Sequence, residues 1–292
     1  MIICTNCKHE VVQQGTQLVC VECNKTIEIK EGIYCFNPEV KEDHDDYNAD
    51  YLNKLYNFEK KHFWFHHRKK IILSYLKKFV PNRNVSILEI GAGTGNIAGE
   101  IISSGYKNYS VGELHVSGLE YAKTYGCSKL YQFDVYSSPF KNHFDVICMF
   151  DVLEHLTEDE KVLKTLNDML KPGGLVILTL PAFNFLWCNI DAVSGHKKRY
   201  IREDIKSLSS KTKFSILKNK YFFSNIFPFL ILRSLINKKA SKKTIEDSTG
   251  LKISPFFNTL MKLFCFHEYV FFRNISTIPG GSIIAVLKKD KS

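Results

Sequence analysis

The sequence predicts an α/β fold: a mostly parallel sheet with helices on both faces, a small cysteine-rich unit before it, and a helical insertion before its last strand. Three observations predict it. From about residue 84, short β-rich apolar runs alternate with stretches of helical periodicity, the rhythm of a parallel sheet covered on both faces. Residues 86–96, SILEIGAGTGN, read as a strand, a glycine-rich turn and the start of a helix. Two Cys-x2-Cys pairs open the chain, well before that rhythm begins.

The elements follow in order. Residues 1–38 form the cysteine-rich unit, with Val and Ile alternation along it. KEDHDDYNADY, 41–51, is polar and acidic and reads as a linker, so 39–62 is expected to join the two parts and to begin a helical lid. FWFHHRKKIILSYLKKFV, 63–80, opens the main domain, 63–292, with apolar residues at helical spacing and a basic face. Strands are expected at VSILEI (85–90), NYSVGE (108–113), KLYQF (129–133), FDVICMF (144–150) and GLVILTL (174–180), with helices at 96–103, 117–125 and 158–170. Pro172-Gly173-Gly174 is the expected turn into the fifth strand. FSILKNKYFF (214–223) and GSIIAVLKK (281–289) are two further strands, flanking a Phe-rich, basic insertion at 221–278.

The chain has 292 residues, 45% of them hydrophobic, which suffices for one large domain and a small appendage. A formal charge of +10 favours polyanionic partners or an anionic membrane surface. No run reaches the ~18 apolar residues that a membrane span needs. The nearest, YFFSNIFPFLIL (221–232), is broken by Ser224, Asn225 and Pro228 and reads as buried or interfacial. The first residues lack the basic and apolar regions of a secretory signal, so a cytoplasmic, reducing location is expected, at most peripheral to the inner face of the membrane. In that setting Cys35, Cys127, Cys148, Cys188 and Cys265 read as buried thiols.

Cys4, Cys7, Cys20 and Cys23 have the spacing of two facing knuckles, a four-thiolate zinc site. Four protein ligands leave no open position, so the expected zinc is structural. A unit this small cannot bury enough core to fold alone, and the metal would supply the difference.

In the glycine-rich turn, Gly91, Gly93 and Gly95 let the backbone approach a ligand closely. A dinucleotide fingerprint wants its third glycine three residues after the second; Asn96 stands there, which weakens a dehydrogenase reading. No GK[ST] follows, so a P-loop is excluded. Three acids punctuate the strand ends. Glu89 precedes the glycines and could face an ammonium or hydroxyl group. Glu113 ends the second strand, where a carboxylate can hold two ribose hydroxyls. Asp134 ends the third, within reach of an adenine amino group.

The succession LEIGAGTGN, GELHVSGLEYA, FDVICMFDVLEHL and LKPGGLVILTLPA resembles the class I S-adenosylmethionine-dependent methyltransferases, especially the small-molecule branch that includes ubiquinone-biosynthesis methyltransferases. The resemblance covers roughly residues 63–185. It implies a Rossmann-like, seven-stranded, mostly parallel sheet and S-adenosylmethionine as cofactor. Gly91, Ala92, Gly93 and Gly95 would then shape the loop around the methionine part of the cofactor, with Glu89 organising that loop. Glu113 and Leu114 would lie at the ribose, Asp134 and Val135 at adenine, and Phe150 and Asp151 beside the sulfonium. In HFWFHHR, 62–68, Trp64 and Arg68 are candidates to pack over the pocket.

A sulfonium methyl needs no activation, so a base is required only where the acceptor carries a proton to be lost. His155, His196 and Tyr200 are the candidates. The segment LPAFNFLWCNIDAVSGHKKRYIREDI resembles one that overhangs the pocket in methyltransferases of bacterial cell-surface and secondary-metabolite clusters, which makes Asp191, His196, Arg199 and Tyr200 substrate-side candidates and leaves Lys197 and Lys198 solvated. A small-molecule acceptor is therefore expected: a saccharide, a lipid-linked molecule or another secondary metabolite. The competing reading is a ribosomal RNA guanine methyltransferase that uses the ribbon for RNA recognition; a third is a non-catalytic module that docks a partner through the ribbon. The basic insertion could rest on an anionic membrane or form an oligomer contact.

Overall fold

The computed structural model describes residues 1–15, 17–40, 56, 58–127, 129–237, 253–272, 275 and 277–290. The expected linker at 41–51 lies outside them. The N-terminal unit contributes β1 (Val11–Gln14), β2 (Gln17–Cys20), β3 (Thr26–Lys30) and β4 (Ile33–Cys35). The strands that follow are β5 (Ile87–Ile90), β6 (Tyr109–Glu113), β7 (Lys129–Gln132), β8 (Phe144–Phe150), β9 (Leu170–Pro181), β10 (Phe214–Phe222) and β11 (Ser282–Lys289). The helices are α1 (Phe63–Phe79), α2 (Asn96–Ser103), α3 (Val116–Thr124), α4 (Asp159–Met169), α5 (Asn189–Val193), α6 (Arg202–Lys211), α7 (Phe227–Asn237) and α8 (Pro255–His267).

The last seven strands lie in the order β7-β6-β5-β8-β9-β11-β10. All pairings from β7 to β9 are parallel, and β11 runs antiparallel between β9 and β10. This is the expected Rossmann-like sheet. Every residue of β5 is buried, which is why a central strand reads as an almost unbroken apolar run. Side chains alternate between two cores. Leu88, Ile147 and Leu178 meet Val162, Leu163 and Leu166 of α4 and Ile205 of α6. Ile87, Val111 and Val146 meet Ile71, Ile72 and Leu76 of α1, Ile101 of α2, Leu119 of α3 and Met261 of α8.

The ribbon continues the same sheet. Its β4 pairs in parallel with β7, Ile33 opposite Leu130 and Cys35 opposite Gln132. Ribbon residues Leu18, Ile27 and Phe36 belong to the same apolar core as Phe133 and Phe140. Beyond β4, the Phe36 N–H donates to the Gln132 carbonyl at 2.9 Å, the Gln132 amide donates to the Asn37 carbonyl at 2.6 Å, and the Asp134 N–H donates to Asn37 Oδ1 at 3.0 Å. An unpaired strand edge is thereby closed.

Two boundaries differ from expectation. Pro172-Gly173-Gly174 lies inside β9, not before it: Leu170 pairs with Phe144 and Leu175 with Val146, so the intervening residues form an irregularity in a continuing strand. Gly173 takes φ 75°, which a bulge there requires. The insertion gives up Tyr221 and Phe222 to β10, whose pairing with β11 runs on to Phe222 and Ser282. Two helices follow, and the second is capped: Ser254 Oγ accepts from the Phe257 N–H and Pro255 occupies the first turn of α8. Asn258 of α8 accepts from the Phe63 N–H at 2.9 Å, tying the insertion to the start of α1. Among the described residues no helix is long and apolar enough to cross a membrane.

Candidate active site

The C-terminal ends of β5, β6, β7 and β8 converge, and the turn after β5 lies among them. Its glycines are sterically required: Gly91, Gly93 and Gly95 have φ of 73°, 57° and 75°. A Cβ on Gly91 would lie 2.4 Å from Val152 Cγ2, and one on Gly95 would lie 2.8 Å from Ala122 Cα. The Ala92 carbonyl accepts from the Gly95 N–H at 2.9 Å, closing the turn into α2. Thr94 Oγ1 donates to the Glu59 carboxylate, and the Tyr56 ring lies 6.1 Å from Tyr121 and 5.9 Å from Tyr125. Chain preceding α1 thus packs against the loop and α3.

Glu113 is buried at the end of β6 and its Oε1 accepts from the Gly93 N–H at 2.7 Å. Burial pushes its carboxyl up, the Gly93 N–H restrains it and Glu89 adds to the rise, leaving it at about 8. Glu89 is sequestered below the loop, accepting from the Tyr109 hydroxyl at 2.7 Å; burial pushes it up to about 7 against that hydrogen bond. Two buried acids that are costly to ionise unaided suit a ligand bringing hydroxyl donors and a positive charge. Leu114 is exposed beside them, and its carbonyl accepts from Gln132 at 3.1 Å. Asp134 accepts from the Tyr136 N–H at 2.9 Å and caps a short turn beginning at buried Val135. The ribbon's Asn37 holds this rim from behind.

At the end of β8, Asp151 adopts φ 56°, a left-handed conformation that non-glycine residues rarely take. Its surroundings enforce it. The Asp151 N–H donates to the Thr179 carbonyl at 3.0 Å, Thr179 Oγ1 donates to Asp151 Oδ1 at 3.0 Å, and Arg68 Nε lies 2.7 Å from Asp151 Oδ2. Arg68 also donates to the Phe150 carbonyl at 2.8 Å, so α1 clamps the strand end. Strain held this way clusters at functional sites. Trp64 is placed differently from expectation: its ring stacks on Phe223 at 3.8 Å, where β10 ends, not over the glycine loop. An indole has more apolar area to bury there than at a polar rim.

After β9 the chain returns through α5 and the SGHKKRYI loop. Asp191 is its hub, 1% exposed. Asp191 accepts from Arg199 Nε at 2.8 Å and Nη2 at 3.0 Å, from the Cys188 N–H at 2.8 Å, and pairs with His196 Nδ1 at 2.8 Å. Burial works to raise its pKa, but the bonds from His196, Arg199 and Cys188 overcome that and hold it at about 2. Arg199 spends its third nitrogen on the Ala182 carbonyl at 3.0 Å, at the end of β9. Asp191 and Arg199 are therefore turned inward as the frame of the loop. Tyr200 lies in the interior of the loop. It is buried, with its hydroxyl 3.2 Å from both the Leu153 carbonyl and Asp159, and burial beside Asp159 pushes its pKa far up. Lys198 pairs with Asp159 and is not merely solvated.

His196 keeps its other nitrogen towards the site: Nε2 is 3.8 Å from Glu154 Oε1, and its ring lies 4.9 Å from that of His155. Glu154 is fully buried, and neither carboxyl oxygen has a hydrogen-bond partner. Burial pushes its pKa well above the usual carboxylate range, with Asp151 adding to the rise. Sequence reasoning missed Glu154, since an acid after a strand looks exposed until β9 and the loop close over it.

The four ribbon sulfurs come within 4.8 Å of one another, with Cys4–Cys23, Cys7–Cys20 and Cys7–Cys23 at 3.6, 3.4 and 3.5 Å. None is in a disulfide. A tetrahedron with zinc–sulfur bonds of 2.3 Å has edges of about 3.8 Å, so the set fits a Cys4 metal site.

Comparisons agree with this geometry. A family model described as "Methyltransferase domain" matches residues 64–218. No curated protein gives a significant match. Among solved structures, the Haloferax volcanii complex of the Trm112 methyltransferase activator with a protein described as a methyltransferase aligns at TM-score 0.55 and 11% identity, over 85% of this chain and 98% of that one. The Haemonchus contortus phosphoethanolamine N-methyltransferase 2, in complex with S-adenosyl-L-methionine, aligns at TM-score 0.49 and 18% identity, over 75% of this chain and 52% of that one. An S-adenosylmethionine-dependent methyltransferase from Mesorhizobium loti aligns at TM-score 0.49 and 12% identity, over 74% and 96%. With more than half of its length matched by the family model and a class I sheet carrying an intact glycine turn, the chain belongs to the methyltransferase domain family and is an S-adenosylmethionine-dependent methyltransferase.

Proposed function

We propose that the protein methylates a small-molecule acceptor, a saccharide, a lipid-linked molecule or another secondary metabolite, with His196 taking the acceptor's proton. The observation that carries this is the Asp191–His196 hydrogen bond of 2.8 Å on the C-terminal edge of the sheet. It orients the ring, and with Nδ1 as the donor it leaves Nε2 as the acceptor. The cofactor supplies an electrophilic methyl group on a sulfonium. The chain's own task is to place the acceptor in line with it and exclude water. Glu113 would hold the ribose hydroxyls, and the turn from Gly91 to Gly95 would wrap the methionine part. Leu114 would lie beside the ribose, and Asp134 and Val135 would border adenine. Phe150 and Asp151, held by Arg68, would flank the sulfonium. We further infer that Cys4, Cys7, Cys20 and Cys23 bind a structural zinc.

The acceptor class is tested by incubating the protein with radiolabelled S-adenosylmethionine and lysate split into RNA, lipid and small-molecule pools. Label in the lipid or small-molecule pool is expected. Label confined to RNA would overturn the reading in favour of a ribosomal RNA guanine methyltransferase. The cofactor assignment is tested by titration calorimetry: Glu113→Ala should weaken S-adenosylhomocysteine roughly 10–100-fold, since charged hydrogen bonds are worth about 1.5–3 kcal/mol each. Unchanged affinity would remove the ribose role. On the acceptor so found, His196→Asn should lower turnover about 10²–10⁴-fold while cofactor affinity stays the same. Turnover at the wild-type rate would show that no base is needed there.

A further inference from the structure

We propose that α7 and α8 form a docking surface for an anionic phospholipid membrane, on which the protein rests without crossing it. The two helices are apolar on the side that faces away from the sheet. On α7 the exposed residues include Leu232, Leu235 and Ile236; on α8 they include Phe256, Leu263 and Phe266. Phe256 is 80% exposed and Ile236 64%, far beyond what a scattered surface hydrophobe needs to explain it. Their spacing puts them on one face of each helix: Leu232 is three and four residues from Leu235 and Ile236, and Leu263 is seven from Phe256 and three from Phe266. The opposite faces are already used: Ser234, Met261 and Cys265 are buried against the domain. Phe229 of α7 meets Phe264 of α8 with ring centroids 5.7 Å apart, so the helices form one contiguous patch.

Charge selects the occupant. Neither α7 nor α8 contains an acidic residue, and their charged residues are Arg233 and Lys262. Both lie near His62, which burial first and then these two cations depress to about 4. Lys70 of α1 stands 6.0 Å from the Phe266 ring. Apolar side chains flanked by Arg233, Lys262 and Lys70, with no acid on either helix, match an anionic interface, where lipid chains receive the former and headgroups the latter. A second copy would set the same cations against each other across a two-fold contact, in a chain of net charge +10. The proposal does not depend on which acceptor is methylated.

The test is co-sedimentation of the full-length protein with sucrose-loaded vesicles of phosphatidylcholine alone or with phosphatidylglycerol, beside sedimentation velocity without lipid. The expected result is a monomer that binds the phosphatidylglycerol vesicles, with binding weakened by salt. Phe256→Glu with Leu263→Glu should lower that partitioning at least about tenfold. Both sites are exposed, and retained S-adenosylhomocysteine binding would show that the variant is folded. Absence of wild-type binding to phosphatidylglycerol vesicles overturns the proposal. So does a dimer that the double variant dissociates, which would assign the patch to a second copy. Because neither readout is turnover, these outcomes are separate from failure of the methyltransferase acceptor assignment.

Discussion

Serine in place of both Cys20 and Cys23 is expected to unfold residues 1–36 and to weaken cofactor binding about tenfold, at a distance from the cofactor itself. The ribbon has a small core: Ile3, Val11, Leu18, Ile27, Ile33 and Phe36 are its buried apolar residues beyond the cysteines, and several of them pack against the main sheet rather than against each other. Metal binding by a Cys4 set contributes on the order of 10–16 kcal/mol in small zinc domains, so its loss exceeds anything these contacts could offset. With the ribbon goes β4, and β7 becomes an open edge. Asn37 then releases the Gln132 side chain and the Asp134 N–H, the two groups that position the expected adenine rim. Limited proteolysis would follow the ribbon, and calorimetry with S-adenosylhomocysteine the pocket. A double variant whose residues 1–36 stay protease-resistant would sink the structural-metal assignment. A ribbon that unfolds while affinity holds would confine its role to solubility or to partners.

Asp191→Ala should cost about 3–5 kcal/mol of folding stability, because it strands a mostly buried guanidinium. Arg199 has two of its three nitrogens on Asp191, and no exposed route to replace them with water without opening the loop. Asp191→Asn separates charge from packing: its shape is retained, yet Arg199 still lacks a counter-charge, so most of the loss should persist. Asp191→Leu combined with Arg199→Met should recover much of it. Urea denaturation reads all three, and an alanine variant within 1 kcal/mol of the parent on that scale would refute the frame role. The same residue sets an acid limit. Its folded pKa of about 2 lies below the ordinary 3.8, so the stabilisation is present above the unfolded value and is lost as pH falls from there towards 2. Its size, on the order of 2 kcal/mol, follows from a shift of nearly two units.

The elements of this protein were largely legible in its sequence because each is a local pattern. Largely apolar runs marked β5, β8 and β9 as strands buried on both faces, and the helical period of 63–80 marked α1 within a residue of its observed end. Where local rules misplaced a boundary, pairing was the reason: Pro172-Gly173-Gly174 is turn-like in composition, but Leu170 finds a partner in Phe144 and keeps the strand going.

Residue chemistry and spacing were enough to nominate the glycine turn, Glu113 and the four cysteines. Positive φ and thiolate geometry are demands that a short motif carries wherever it is placed. The roles around the acceptor were not so determined. Asp191, His196, Arg199 and Tyr200 lie within ten residues, yet one orients, one faces the site, one clamps and one packs. Only the return of that loop onto β8 and β9 decides this, because burial and pairing are set by the elements that close over a side chain. Glu154 makes the same point: its charge state depends on Asp151, the loop and the sheet around it, and none of these is adjacent to it until the chain has folded.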